Sequence, residues 1–355
     1  MNTDSRKYFA SANSHLGFYS LFSDIFPPER LDAIYIIKGG PGTGKSTFMK
    51  KIGERAETYG LAPEYVLCSS DPCSLDGIII PEMSAAVLDG TSPHVTEPKY
   101  PVAVERILDF YKFIDRKKIS PLRFAIMEET AAAERETKLG YGFLRALGEV
   151  KKDEDRILDA LFDTEKAHAA AKKMIGGIHT SEDKKTVFGG AVCYEGEVFT
   201  DSYFSAAKTR YAVTGKYGAE KFFLSALCRA ADEAGVGYTR LLDPAVPDTV
   251  CGIYFEEPKI IFSSSDEKNA EISDKRINAM RFFDAEGLSA ARGRLRFARR
   301  CGEALLEGAA EGFARAREHH AELEKIYGAA TDFSGIDALC EKICGEMFCN
   351  LKKMN

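Results

Sequence analysis

The chain has no apolar run approaching the ~18 residues that a bilayer-spanning helix needs, so no membrane span is expected. Its first residues, MNTDSRKYFASAN, lack the apolar core of a secretory signal, and a cytoplasmic location is expected. Nor is there an excess of positive charge: 48 Lys and Arg face 54 Asp and Glu, a net charge of −6. Without a global basic field, nucleic acid is not an expected partner. The nine cysteines contain no C-x-x-C pair. Cys340, Cys344 and Cys349 fall in one helical stretch, but no histidine or second close pair completes a zinc set, so buried thiols in a reducing compartment are the better account. What is present describes an ordinary globular protein: 355 residues, 45% hydrophobic and 29% charged, enough for about two domains.

One stretch organises the rest. Gly39-Gly40-Pro41-Gly42-Thr43-Gly44-Lys45-Ser46-Thr47 fits G-x-x-x-x-G-K-[ST] and follows the apolar run Ala33-Ile34-Tyr35-Ile36-Ile37. That run is β-branched and aromatic, as a buried strand should be. Ser46 to Glu57 then reads as a helix, with Phe48, Met49 and Ile52 on one side. Strand, glycine loop and helix is the setting in which backbone N–H groups converge on phosphate oxygens, helped by the helix dipole. In that setting Lys45 reaches the β and γ phosphates of ATP, and the Ser46 hydroxyl ligates Mg²⁺.

The chain also repeats itself. Phe9 to Phe22 matches Phe188 to Asp201, and Ile34 to Lys45 matches Arg210 to Lys221. Gly60 pairs with Gly235 and Gly77 with Gly252. The expected organisation is therefore two copies of one α/β unit, residues 1–176 and 177–355, each a mostly parallel sheet with helices on both faces. Each ends in charged helical sequence: about 120–175, with a break expected near Gly140 to Gly148, and about 285–350. These are expected to form a helical hairpin appended to each domain.

In the first copy, Asp89 closes the apolar strand Ala85-Ala86-Val87-Leu88 and is the natural second ligand for Mg²⁺ beside Ser46. The next residue is Gly90, where many fast hydrolases place a glutamate that orients water; its absence points to slow hydrolysis or to transfer onto another acceptor. Asp71, Asp76 and His94 lie in loops expected at the carboxyl edge of the sheet, where a small-molecule acceptor would bind. His94 is a candidate general base or phosphate contact, set against an ordinary loop histidine. A charge-neutralising arginine is sought among Arg116, Arg123 and Arg135, with nothing in the spacing to choose among them. The second copy has lost the parts: Glu220 stands at the place of Gly44, Phe222 at that of Ser46, and Ser263-Ser264-Ser265 end the strand that should supply an aspartate.

Taken together, GGPGTGKST, CSSDPCSLDGIIIPE and VLDGTSPHVTEPKYP resemble a bacterial family of duplicated P-loop proteins described only as ATP-binding, ATPase-like or nucleotide-kinase-like. The resemblance implies two tandem P-loop NTPase-like domains and functional roles at Gly39, Gly44, Lys45, Ser46 and Asp89. It also makes Asp71, Asp76 and His94 worth testing. Three activities follow as expectations: Mg-dependent ATP hydrolysis, phosphotransfer to a small molecule or nucleotide, or nucleotide sensing without appreciable turnover.

Overall fold

The computed structural model describes residues 5–265 and 271–349. Its strands are β1 (Arg6–Phe9), β2 (Ser11–Ser14), β3 (Gly17–Ser20), β4 (Ala33–Lys38), β5 (Glu64–Leu67), β6 (Leu75–Ile80), β7 (Ala85–Asp89) and β8 (Glu105–Asp109), then β9 (Lys185–Phe188), β10 (Gly190–Cys193), β11 (Gly196–Phe199), β12 (Thr209–Thr214), β13 (Thr239–Leu242), β14 (Val250–Phe255), β15 (Ile260–Ser264) and β16 (Lys275–Asn278). The helices of twelve residues or more, among the described residues, are α1 (Lys45–Thr58), α2 (Arg123–Asp159), α3 (Thr164–Ile175), α4 (Glu220–Glu233), α5 (Ala285–Gly328) and α6 (Phe333–Met347). No helix among them is long and apolar enough to cross a membrane.

Twelve strands form one mixed sheet in the order β16-β12-β15-β14-β13-β9-β1-β5-β6-β7-β4-β8. Read outward from its centre, the order of the first half is repeated in the second. In each half one strand, β6 or β14, runs against both neighbours while the other junctions are parallel. The halves meet at an antiparallel junction where Phe9 faces Phe188, the two residues that head the matching sequence segments. Interior strands such as β4 (AIYIIK) are buried on both faces, which is why they read as continuous apolar runs rather than alternating ones. The matched glycines Gly60 and Gly235 have φ of +77° and +65° and end α1 and α4 in the left-handed turn that favours glycine.

The long helices depart from expectation. No break occurs between Gly140 and Gly148: α2 is one helix of 37 residues and α5 one of 44. The glycines serve contact instead. A Cβ on Gly312 would lie 2.9 Å from the Gly140 backbone nitrogen, and one on Gly140 would meet the Phe313 ring at 2.7 Å. α2 and α5 therefore approach backbone to backbone, and the ion pairs Glu129–His319, Glu136–Arg315 and Asp153–Arg294 set them antiparallel. Gly312→Leu should lower the unfolding free energy by about 3 kcal/mol, since the partner atoms are backbone and cannot rotate away; urea unfolding followed by circular dichroism measures it.

Nor does each hairpin pack on its own half. A helix rises ~1.5 Å per residue, so α2 and α5 carry the chain roughly 55 and 65 Å, far enough to exchange the short helices that follow. α6, at the C-terminus, buries Ile336, Cys340, Ile343 and Met347 in one core with Phe48, Met49 and Ile52 of α1. α3, from the first half of the sequence, buries Ala167, Ala171 and Ile175 in the core shared with α4. Asp163, Asp284 and Asp332 cap α3, α5 and α6 through backbone N–H groups of the first turn, which fixes where each helix begins.

Candidate functional site

The glycine loop joins the carboxyl end of β4 to the start of α1. Gly42 and Gly44 both take left-handed φ, +67° and +82°, and Gly44 is the residue on which α1 begins. Thr43 is almost fully buried and its hydroxyl donates to the Gly40 carbonyl at 2.7 Å, holding the loop curled. Lys45 projects back across the loop: its ammonium donates to the Gly39 and Gly40 carbonyls at 3.0 and 2.8 Å and lies 3.5 Å from Asp89 Oδ2. Asp89 is brought there by register, because it pairs with Ile37 at the end of β4. Its Oδ1 accepts from the Thr91 amide and hydroxyl, which fixes the carboxylate and turns Oδ2 toward Lys45. The Ser46 hydroxyl accepts from the Leu75 amide at 3.0 Å, and Thr47 is exposed. Pro41 is half-buried.

Compared with protein-family models, with curated proteins and with solved structures, the chain matches none. The site therefore stands on its own geometry.

Gly90 has a steric cause. A Cβ there would lie 2.3 Å from Ile36 Cγ2, so a glutamate cannot occupy the position without displacing the buried Ile36 side chain. Lys38, at the end of β4, ties the following loop down by donating to the Gly90 and Thr96 carbonyls at 3.0 and 2.9 Å and pairing with Glu97. The other expected residues separate. His94 and Asp76 come together, with Nε2 2.9 Å from Asp76 Oδ2, but both side chains are buried. The imidazole stacks on Phe22 and meets the edge of Phe18. In this geometry His94 is a structural partner of Asp76, not a solvent-facing base: the aromatic residues of the N-terminal segment cover it. Asp71 lies apart from that pair, and its carboxylate accepts from Cys73 and Ser74 within its own loop.

The wall opposite the loop comes from the end of α5 and the first residue of α6, which sequence reasoning missed. A Cβ on Gly42 would lie 2.4 Å from the Glu324 carbonyl oxygen, one on Gly40 would touch the Tyr327 ring at 3.4 Å, and one on Gly44 would touch Phe333 at 3.4 Å. Arg317 and His320 stand on the same helix end. Of the expected arginines, Arg116 and Arg135 are exposed and Arg123 lies over Phe124. His320 is half exposed, yet partial desolvation lowers its pKa below the usual histidine value; Arg317 and Lys45 also lower it, while Glu324 and Asp71 oppose.

The second loop has a different filling. Tyr217 and Gly218 take left-handed φ, but Glu220, at the place of Gly44, is already in the first turn of α4. Its carboxylate turns back over the loop: a Cβ on Gly215 would lie 2.5 Å from Glu220 Oε2. That oxygen is buried and bonded to no described residue. Burial raises the Glu220 pKa, against the lowering pull of its own backbone N–H and of Lys151 and Lys221. Lys221 is paired with Asp155 of α2. Phe222 packs with Phe162 and Phe283, an apolar cluster where the first loop has a hydroxyl. Ser264 holds the register place of Asp89, opposite Val213.

Proposed function

We propose that residues 39–47 bind the phosphates of ATP with Mg²⁺, and that the chain is an ATPase whose second half covers the site without taking a nucleotide of its own. One observation carries this reading. The Lys45 ammonium sits 3.5 Å from the Asp89 carboxylate, beneath a loop bent by two left-handed glycines at the head of a 14-residue helix. The amides of such a loop and the helix dipole favour an anion. The two loop carbonyls that hold Lys45 are weaker partners than a phosphate, so the ammonium can exchange them for β and γ oxygens.

The oxygen donors fit a hard divalent ion: Asp89 has one oxygen committed to Thr91 and one turned toward the loop, and Ser46 offers a hydroxyl on the first turn of α1. Mg²⁺, when bound, neutralises charge between the β and γ phosphates. The protein's own part is to hold the triphosphate against the amides and to place Lys45 beside it. No carboxylate follows Asp89 to orient water, and the Ile36 contact at Gly90 supports either slow hydrolysis or use of an acceptor in place of water.

The test is ADP release by the full-length chain, alone and with pooled nucleosides and metabolites. A basal rate indifferent to acceptors supports the ATPase; a rate that needs an acceptor supports a kinase. Lys45→Ala should weaken MgATP binding at least about 100-fold, two lost charge-assisted contacts at roughly 1.5–3 kcal/mol each. Calorimetry should give one MgATP per wild-type chain. Unchanged affinity in the variant overturns the loop assignment, and two nucleotides per chain overturn the reading of the second half.

A further inference from the structure

Five charged or titratable side chains from two distant parts of the sequence meet in front of the glycine loop. Lys45 and Asp71 come from the first half; Arg317, His320 and Glu324 come from the last turns of α5. Arg317 is held between two carboxylates: its Nη1 donates to Glu324 Oε2 at 3.0 Å, and its Nη2 lies 3.6 Å from Asp71 Oδ2. His320 Nε2 is 3.7 Å from the other oxygen of Glu324. The Glu324 backbone abuts Gly42, so this turn of α5 cannot shift without shifting the loop, while the side chains on it stay free to exchange partners. Glu324, with about a third of its side chain exposed, holds Arg317 by a contact that an anion of higher charge can replace.

We infer that Arg317 reads the terminal phosphate of a nucleoside triphosphate bound at residues 39–47, with His320 beside it, so that α5 distinguishes triphosphate from diphosphate. This rests on the assignment of the loop as a nucleotide site. Asp71 is the inner carboxylate that positions the guanidinium, and Glu324 is its partner until phosphate arrives. A terminal phosphate that takes over Arg317 releases Glu324 from it.

The experiment is calorimetric titration of the full-length chain with MgATP and MgADP. The wild type should bind MgATP more tightly. Arg317→Ala should weaken MgATP binding about 10- to 100-fold while leaving MgADP within about twofold, and Arg317→Lys should keep part of the preference. Glu324→Gln, which removes one of the two charges holding the guanidinium, should tighten MgATP binding and leave MgADP unchanged; it serves as the second reading if Arg317→Ala does not fold. Equal weakening of both nucleotides, or no change in either, overturns the role of Arg317 and leaves the loop assignment standing. A wild-type chain that binds neither nucleotide overturns the loop assignment itself, and this inference with it.

Discussion

A fragment ending at residue 330 is expected to lose the cooperative unfolding of its first half, although it retains all of residues 1–176. The truncation removes α6, which buries Ile336, Ile343 and Met347 against Phe48, Met49 and Ile52 together with Cys340 and Phe348. Five such apolar side chains at roughly 1.5–3 kcal/mol each amount to about 8–15 kcal/mol, comparable to the whole net stability of a domain, about 5–15 kcal/mol. The ion pairs between the same helices, Lys51–Asp337 and Arg55–Glu341, are largely solvated and add little. Circular dichroism in urea reads the outcome, and a synthetic 331–349 peptide added to the fragment should restore the transition. A fragment that unfolds as steeply as the full chain, at the same urea midpoint, would show that α6 is dispensable. The practical corollary is that residues 177–355 alone are a poor specimen for binding studies, since α3 is missing from the core around α4.

Gly42→Val is expected to separate α5 from the loop. Its φ of +67° is costly for a β-branched residue, roughly 1–2 kcal/mol, and its Cβ would lie 2.4, 2.7 and 2.9 Å from three backbone atoms of Glu324. Overpacking against atoms that cannot rotate away adds about 1–3 kcal/mol. The variant should therefore lose about 3–4 kcal/mol of stability and its MgATP binding. Gly60→Val is the matched control: its φ is +77°, and a Cβ there meets nothing within 4 Å. It should show only the backbone cost and keep nucleotide affinity. Equal losses in both variants would mean that the contact with Glu324 is immaterial.

How much of this was legible beforehand varies with the range of the interaction. The strand AIYIIK, the glycine loop, the helix after it and the strand ending at Asp89 were readable because each is encoded in a short window: β-branched runs, glycines where left-handed turns fall, and apolar residues at helical spacing. The same pattern misled at Gly140 to Gly148, where glycine in a helical stretch reads as a break; the close approach of α5 at Gly140 and of the His15 side chain at Gly148 gives those two glycines their purpose. His94 read as a loop histidine near the chemistry, but Phe18, Phe22 and Asp76 bury it. Arg317 carried no signal, since an arginine among many on a charged helix gains meaning only from what faces it.

The chain alone determined its α/β character, the repetition of one unit, and the place where backbone amides and a lysine can gather. Local composition suffices for these because they follow from which residues prefer burial and which tolerate a left-handed turn. Only the tertiary structure decided which helix covers which core and what stands opposite the loop. Two helices long enough to cross from one half to the other exchange the segments that follow them, and an apolar stripe on α6 specifies that it must be buried but not against which partner.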